Sequence, residues 1–213
     1  MKIGIIGATG KAGSLIYKEA ADRGHEVTAI VRNAAKLENA NGAVLEKDVF
    51  DLTGSDLQAF DVVVNAISAP PGQEHLHVKA GKSLIGAAKE AANTKLVVVG
   101  GAGSLYVDEA KTIKVMDTPD FPKEYLPTAT NQGENLEDLQ QSEGFEWTFV
   151  SPAAFFNPEG KRTGSYQTGK DNFIVNAKGE SYVSYADYAI AIVDELENPK
   201  HVNKRFTVVA EAE

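Results

Sequence analysis

Three glycines spaced three apart, Gly7, Gly10 and Gly13, fall in the segment Gly7-Ala8-Thr9-Gly10-Lys11-Ala12-Gly13. An apolar run, Lys2 to Ile6, precedes them, and a helix-like stretch follows. In that setting the first glycine permits a tight turn. The second lets backbone approach a pyrophosphate, and the third lets helix and strand pack closely. A helix opening there offers unpaired N–H groups and the positive end of its dipole to an anion. The chemistry indicated is dinucleotide binding through Gly7, Thr9, Gly10, Lys11, Ala12 and Gly13. The spacing is G-x-x-G-x-x-G rather than G-x-G-x-x-G, so the strand–turn–helix context carries the reading.

Arg32 comes about twenty residues after the glycines, where a site selective for NAD usually places Asp or Glu against the ribose hydroxyls. Here the residues are Val31-Arg32-Asn33, with Lys36 one turn later. A guanidinium matches a 2′-phosphate and stacks on adenine, so NADP(H) is the preferred cofactor, with NAD(H) possible. In this type of fold ligands lie at the carboxyl edge of the sheet. That places Asp48 and Val49 beside the adenine, and Asn65, Ala66, Ile67 and Ser68 along the ribose and nicotinamide. Gly100 and Gly101, at the next strand end, join the cofactor site. Ser104, just beyond, is the candidate to orient a substrate. Ser68, Pro70 and Pro71 would form a stiff wall by the nicotinamide. Pro152, Ala153, Phe155 and Phe156 would wall an acceptor pocket.

The elements that must position these residues alternate. Strands are expected at Lys2–Ile6, Glu26–Val31, Ala43–Lys47, Val62–Ala66, Lys95–Val99, Glu146–Val150 and Arg205–Val209. Helices are expected over Lys11–Arg23, His75–Ala92 and Asn131–Gln141, and from the Ser184 cap to Leu196. Strand–helix alternation with continuous apolar strands implies an α/β fold with a doubly wound parallel sheet, the Rossmann fold. The 213 residues suit one domain, with residues 152–182 as a small substrate-side lobe. Residues 104–130, with Pro119, Pro122 and Pro127, read as a long functional loop.

Composition narrows the function further. A net charge of −9 disfavours a nucleic-acid partner. No apolar run is long enough to span a membrane, and the N-terminus has too little apolar length for a signal peptide. The absence of cysteine removes thiol catalysis and thiolate metal sites, and it suits a cytoplasmic protein. His75 and His77, spaced i,i+2, do not share a helix face, so no metal site is expected. His25 reads as a strand entry and His201 as surface. Asp187 reads as a helix-start residue, and Glu134, Glu137 and Asp138 as a solvated face.

The chain resembles the atypical short-chain dehydrogenases, and among them the small NADH-flavin reductases, NmrA-like proteins and biliverdin reductase B-like proteins. The resemblance rests on Gly7-Ala8-Thr9-Gly10, Val31-Arg32-Asn33 and Val98-Val99-Gly100-Gly101-Ala102-Gly103-Ser104. It continues in Glu146-Trp147-Thr148-Phe149-Val150-Ser151-Pro152-Ala153 and Val183-Ser184-Tyr185-Ala186-Asp187-Tyr188-Ala189. It implies NAD(P)H-dependent hydride transfer to a flavin, quinone or similar small-molecule acceptor. One departure matters. The larger short-chain dehydrogenases carry a proton-donating Tyr-x-x-x-Lys pair on the helix after strand 5. Here that spacing occurs only at Tyr166 and Lys170, after strand 6. Conjugated acceptors delocalise incoming charge and take a proton from water, so flavin reduction survives the departure better than ketone reduction. The alternative is a non-catalytic NADP(H) sensor of the NmrA-like type that regulates a protein partner. An epimerase of the same superfamily is the weaker third reading, because such enzymes generally keep the pair.

Overall fold

The computed structural model describes residues 1–37 and 42–212. Strand β1 (Lys2–Ile6) leads through α1 (Lys11–Asp22) to β2 (Glu26–Val31) and β3 (Ala43–Glu46). Then follow α2 (Gly54–Leu57), β4 (Val62–Asn65), α3 (Leu76–Glu90) and β5 (Lys95–Val99). The remaining elements are α4 (Leu126–Gln140), β6 (Trp147–Ser151), β7 (Phe155–Asn157), β8 (Gln167–Gly169), β9 (Tyr182–Ser184), α5 (Tyr185–Glu197) and β10 (Lys204–Val209).

Among the described residues the main sheet has eight strands in the order β3-β2-β1-β4-β5-β6-β10-β8. All pairings are parallel except that of β8, which runs antiparallel to β10. The chain winds outward from β1 to β3 and then returns to β4. The reversal opens a crevice between the carboxyl ends of β1 and β4, where ligands of such sheets bind. β7 and β9 form a separate parallel pair beside that edge.

The apolar runs at β1, β4 and β5 are continuous because helices cover both faces. On one face Ile3, Ile5 and Phe206 pack with Ile16 of α1 and Tyr188 and Ile192 of α5. On the other, Ile6, Val63 and Phe149 pack with Leu84 of α3 and Leu136 and Leu139 of α4. Tyr188 is fully buried, and its hydroxyl donates to the Val150 carbonyl at 2.6 Å. That bond avoids the roughly 1–3 kcal/mol cost of a stranded buried polar group.

Four features depart from expectation. Helix α4 starts at Leu126 rather than Asn131, because Pro127 occupies its first turn, where a missing N–H is harmless. The expected loop is correspondingly shorter. Helix α2 is absent from the sequence reading, although Thr53 and Asp56 form a reciprocal capping box at its start. Strand β8, inside the expected lobe, extends the main sheet. His201 is half-buried rather than a surface residue: its ring stacks on Phe206 at 4.2 Å and bonds Glu195 at 2.8 Å. Ser184 caps α5 as expected, accepting from the Asp187 N–H at 3.0 Å.

Candidate functional site

The glycine loop joins β1 to α1 at the switch point. Gly7 has φ +78°, and a Cβ there would lie 2.6 Å from the Ala66 carbonyl oxygen, so two strand ends meet closely. A Cβ on Gly13 would lie 2.2 Å from the Gly7 carbonyl oxygen, so helix and loop are in direct contact. Gly10 differs. A Cβ there would meet only the Gly7 oxygen, at 3.2 Å, and would otherwise project into open space. Gly10 is the N-cap of α1, no side chain caps the helix, and no acidic residue sits in its first turn. The first-turn N–H groups around Lys11, Ala12 and Gly13 therefore face outward at the positive end of the dipole. Thr9 and Lys11 are exposed beside them. This cradle fits a pyrophosphate, and a side chain at Gly10 would fill it.

Arg32 leaves the end of β2 exposed, with no hydrogen bond or ion pair to another described residue. The turn that carries it is held firmly. Asn33 Oδ1 accepts from the Ala35 N–H at 2.9 Å, and Glu46 accepts from the Ala34 N–H at 2.8 Å. Lys36 is also exposed. Asp48 accepts from the Phe50 N–H at 3.1 Å, capping a short turn of 3-10 helix. Val49 is buried in the core, so only its backbone is available to a cofactor.

Toward the centre of the sheet, Asn65 is buried and accepts from the Ile67 N–H at 3.3 Å. Ala66 is buried, whereas Ser68, Pro70 and Pro71 are exposed on the loop that follows. Helix α4 packs against the residues that follow β5. A Cβ on Gly103 would be 2.5 Å from the Ala129 Cβ, and one on Gly101 would be 2.1 Å from Gln132 Oε1. Gly100 is tight against the Phe149 ring. Ser104 is 5% exposed, and both its hydroxyl and its carbonyl oxygen accept from Arg205 Nη1 at 2.9 Å. Burial pulls the Arg205 pKa below its ordinary value, opposed by the ion pair with Asp171 at 3.1 Å.

The wall after β6 divides. Pro152 and Ala153 are buried, with Ala153 part of the core. Phe156 is half-buried and lies 3.8 Å, centroid to centroid, from Tyr185. Phe155 projects outward at 60% exposure. The Tyr166 hydroxyl is committed to Asp194 at 2.6 Å, and burial and that carboxylate push its pKa up. The chance Tyr166/Lys170 spacing therefore supplies no acid at this edge. Helix α4 contains neither Tyr nor Lys. Asp187 is fully buried and accepts from Thr163 N–H, Thr163 Oγ1 and Gly164 N–H, which ties down the loop after β7. His77 is buried, and burial lowers its pKa. Gln132 is the residue at this edge that the sequence reading passed over; its setting depends on a contact with Gly101, 31 positions away in the sequence.

A doubly wound sheet with an uncapped helix N-terminus at its switch point and a free cation beyond β2 defines a dinucleotide-binding protein. The NAD(P)H-binding family model matches residues 7–199, and the chain belongs to that family. It is 71% identical, over the whole of both chains, to the uncharacterized protein YwnB of Bacillus subtilis (strain 168). A structure from Streptococcus pneumoniae TIGR4, described as a putative NADH-flavin reductase, matches with TM-score 0.92 and 44% identity, covering 99% of this chain and 100% of that one. The NAD(P)H azoreductase of Xenophilus azovorans is 26% identical over 210 residues, which is 96% of this chain and 66% of that protein. The family is one of NAD(P)H-binding oxidoreductases, and the cofactor class is a nicotinamide dinucleotide. Among the described residues no helix is long and apolar enough to cross a membrane.

Proposed function

We propose that the protein is an NAD(P)H-dependent reductase that delivers hydride to a flavin, quinone or similar conjugated small molecule, with NADPH preferred over NADH. The observation that carries the acceptor class is α4. This helix covers the end of β5 and presents Gln132 there, with no tyrosine–lysine acid along its length. A ketone needs a proton donor as hydride arrives. A conjugated acceptor does not, because its ring system spreads the charge and water protonates it afterward.

The dinucleotide supplies a hydride; NADPH, H⁺ and oxidised acceptor give NADP⁺ and reduced acceptor. The protein supplies binding and orientation. The α1 N-terminus at Gly10 would hold the pyrophosphate, and Arg32 would hold the 2′-phosphate. Asn65, Ala66, Ile67 and Ser68, with Gly100 and Gly101, would hold the ribose and nicotinamide end. Pro70, Pro71, Pro152, Phe155 and Phe156 bound the acceptor space. Ser104, anchored by Arg205, keeps a hydroxyl proton to donate toward the acceptor. The azoreductase relative supports the class, since an azo group is also a conjugated two-electron acceptor.

The test is a titration with NADPH and with NADH, followed by FMN while the nicotinamide absorbance is watched. Tight NADPH binding with FMN-dependent oxidation is expected. Tight binding without oxidation across flavins and quinones would overturn the reductase and favour an NADP(H) sensor acting on a protein partner.

A further inference from the structure

We infer that Gln132 orients the acceptor: its carboxamide hydrogen-bonds the imide edge of an isoalloxazine ring lying over the end of β5. This rests on the reductase reading and narrows its acceptor class.

Gln132 sits at the middle of the carboxyl edge, where Gly101 follows β5. An ideal Cβ on Gly101 would lie 2.1 Å from Gln132 Oε1, so the carboxamide occupies the space that the missing side chain leaves over this strand end. The helix beneath is fixed in place. Ala129 packs on Gly103, and Gly133 lies against the Ser104 side chain, with 3.6 Å from its ideal Cβ to the serine Cβ. The backbone that carries Gln132 is therefore held against the end of β5.

The carboxamide is half-buried and has no hydrogen-bond partner among the described residues. Its neighbour Asn131 is committed, donating to the Pro127 carbonyl at 2.9 Å. A partly desolvated amide with no partner gains from a ligand that supplies one. Tyr125, the N-cap of α4 seven residues earlier, is 62% exposed.

A carboxamide both donates and accepts. An imide edge carries C=O acceptors flanking an N–H donor, so the two are complementary through a pair of hydrogen bonds. A quinone carbonyl can use only the donor. The carboxamide does not titrate, so this recognition is independent of pH over the working range, unlike orientation by a tyrosine or histidine.

The experiment compares lumiflavin with N3-methyllumiflavin, which lacks the imide proton, in the wild type and in Gln132→Met, a chain of similar length without polar hydrogen bonding. Flavin binding is read by fluorescence quenching and turnover by NADPH oxidation. NADPH affinity serves as the check that the variant is folded. The wild type should bind lumiflavin about tenfold more tightly than the methylated ring, the size of one lost hydrogen bond with its partner left unpaired. Gln132→Met should bind both rings equally, at unchanged NADPH affinity. No discrimination in the wild type, or equal discrimination in the variant, overturns the role of Gln132. Discrimination by binding without NADPH oxidation would leave that role standing and remove the reductase. Turnover of menadione with no lumiflavin binding would keep the reductase and remove the imide recognition.

Discussion

The same substitution at two glycines three positions apart, Gly10 and Gly13, should have opposite consequences. In Gly13→Ala the added methyl meets backbone: 2.2 Å to the Gly7 oxygen, 2.8 Å to the Gly7 carbonyl carbon and 3.3 Å to Ala8 Cα. Comfortable carbon contacts need about 3.5 Å, so loop and helix must separate by roughly 1 Å. Overpacking of this kind costs about 1–3 kcal/mol, and a rigid backbone neighbour places it near the top of that range. For a chain of this length about 3 kcal/mol lowers Tm by roughly 6–12 °C. Gly10→Ala meets a different setting. Gly10 has φ −80° and ψ 166°, which alanine adopts freely, and its Cβ touches only the Gly7 oxygen at 3.2 Å. The fold loses about 0.5–1 kcal/mol through a poorer N-cap. The methyl, however, projects into the space assigned to the pyrophosphate. Loss of one charge-assisted hydrogen bond, about 1.5–3 kcal/mol, weakens NADPH binding roughly 10- to 100-fold. Differential scanning fluorimetry and nicotinamide fluorescence titration separate the two effects. NADPH binding by Gly10→Ala within twofold of wild type would refute the placement of the pyrophosphate. A wild-type Tm for Gly13→Ala would refute the contact between loop and helix.

Arg32→Glu should weaken NADPH binding by about tenfold or more, through a lost charge-assisted contact and added repulsion, and leave NADH within about threefold; equal changes for both would remove Arg32 from the 2′-phosphate. Ser104→Ala takes one of the acceptors of Arg205, so stability should fall by about 1 kcal/mol. Turnover should fall with it at unchanged NADPH affinity, and an unchanged rate would take Ser104 out of the site. Asp56 accepts from Lys47 Nζ, the Thr53 N–H and Thr53 Oγ1, each at 2.7 Å, and the Lys47 bond leads in lowering its pKa from 3.8 to about 2. A depressed folded-state pKa gives stability that is present above the unfolded value near 3.8 and is lost as pH falls toward 2. Urea unfolding should therefore show the gap between wild type and Asp56→Asn narrowing from pH 4 to pH 2, and a constant gap would refute the assignment.

What the amino-acid order made legible is local. β1, β4 and β5 could be read because strands covered on both faces are continuous apolar runs, and the glycine loop because its function lies in backbone conformation over seven residues. Helix α4 was read five residues short because Pro127 looks like a breaker until its place in the first turn is known. The side chains were harder, since their availability depends on partners far away in the chain. Ser104 reads as an open hydroxyl, but Arg205, 101 positions on, holds its oxygen. Tyr166 matches the acid-pair spacing only by chance, and its hydroxyl donates to Asp194, 28 positions on. Asp187 is fully occupied by the backbone and hydroxyl of Thr163 and the backbone of Gly164. Removing each polar side chain whose hydrogen bonds are already made inside the fold leaves few at the carboxyl edge. Arg32 beyond β2 and Gln132 over β5 are among those that stand without an internal partner in the described residues. They lie on either side of the switch point, one charged and fit for a phosphate, the other neutral and fit for a planar amide. That division matches a site in which the cofactor is held by charge at one end and its acceptor is aligned by an uncharged group at the other.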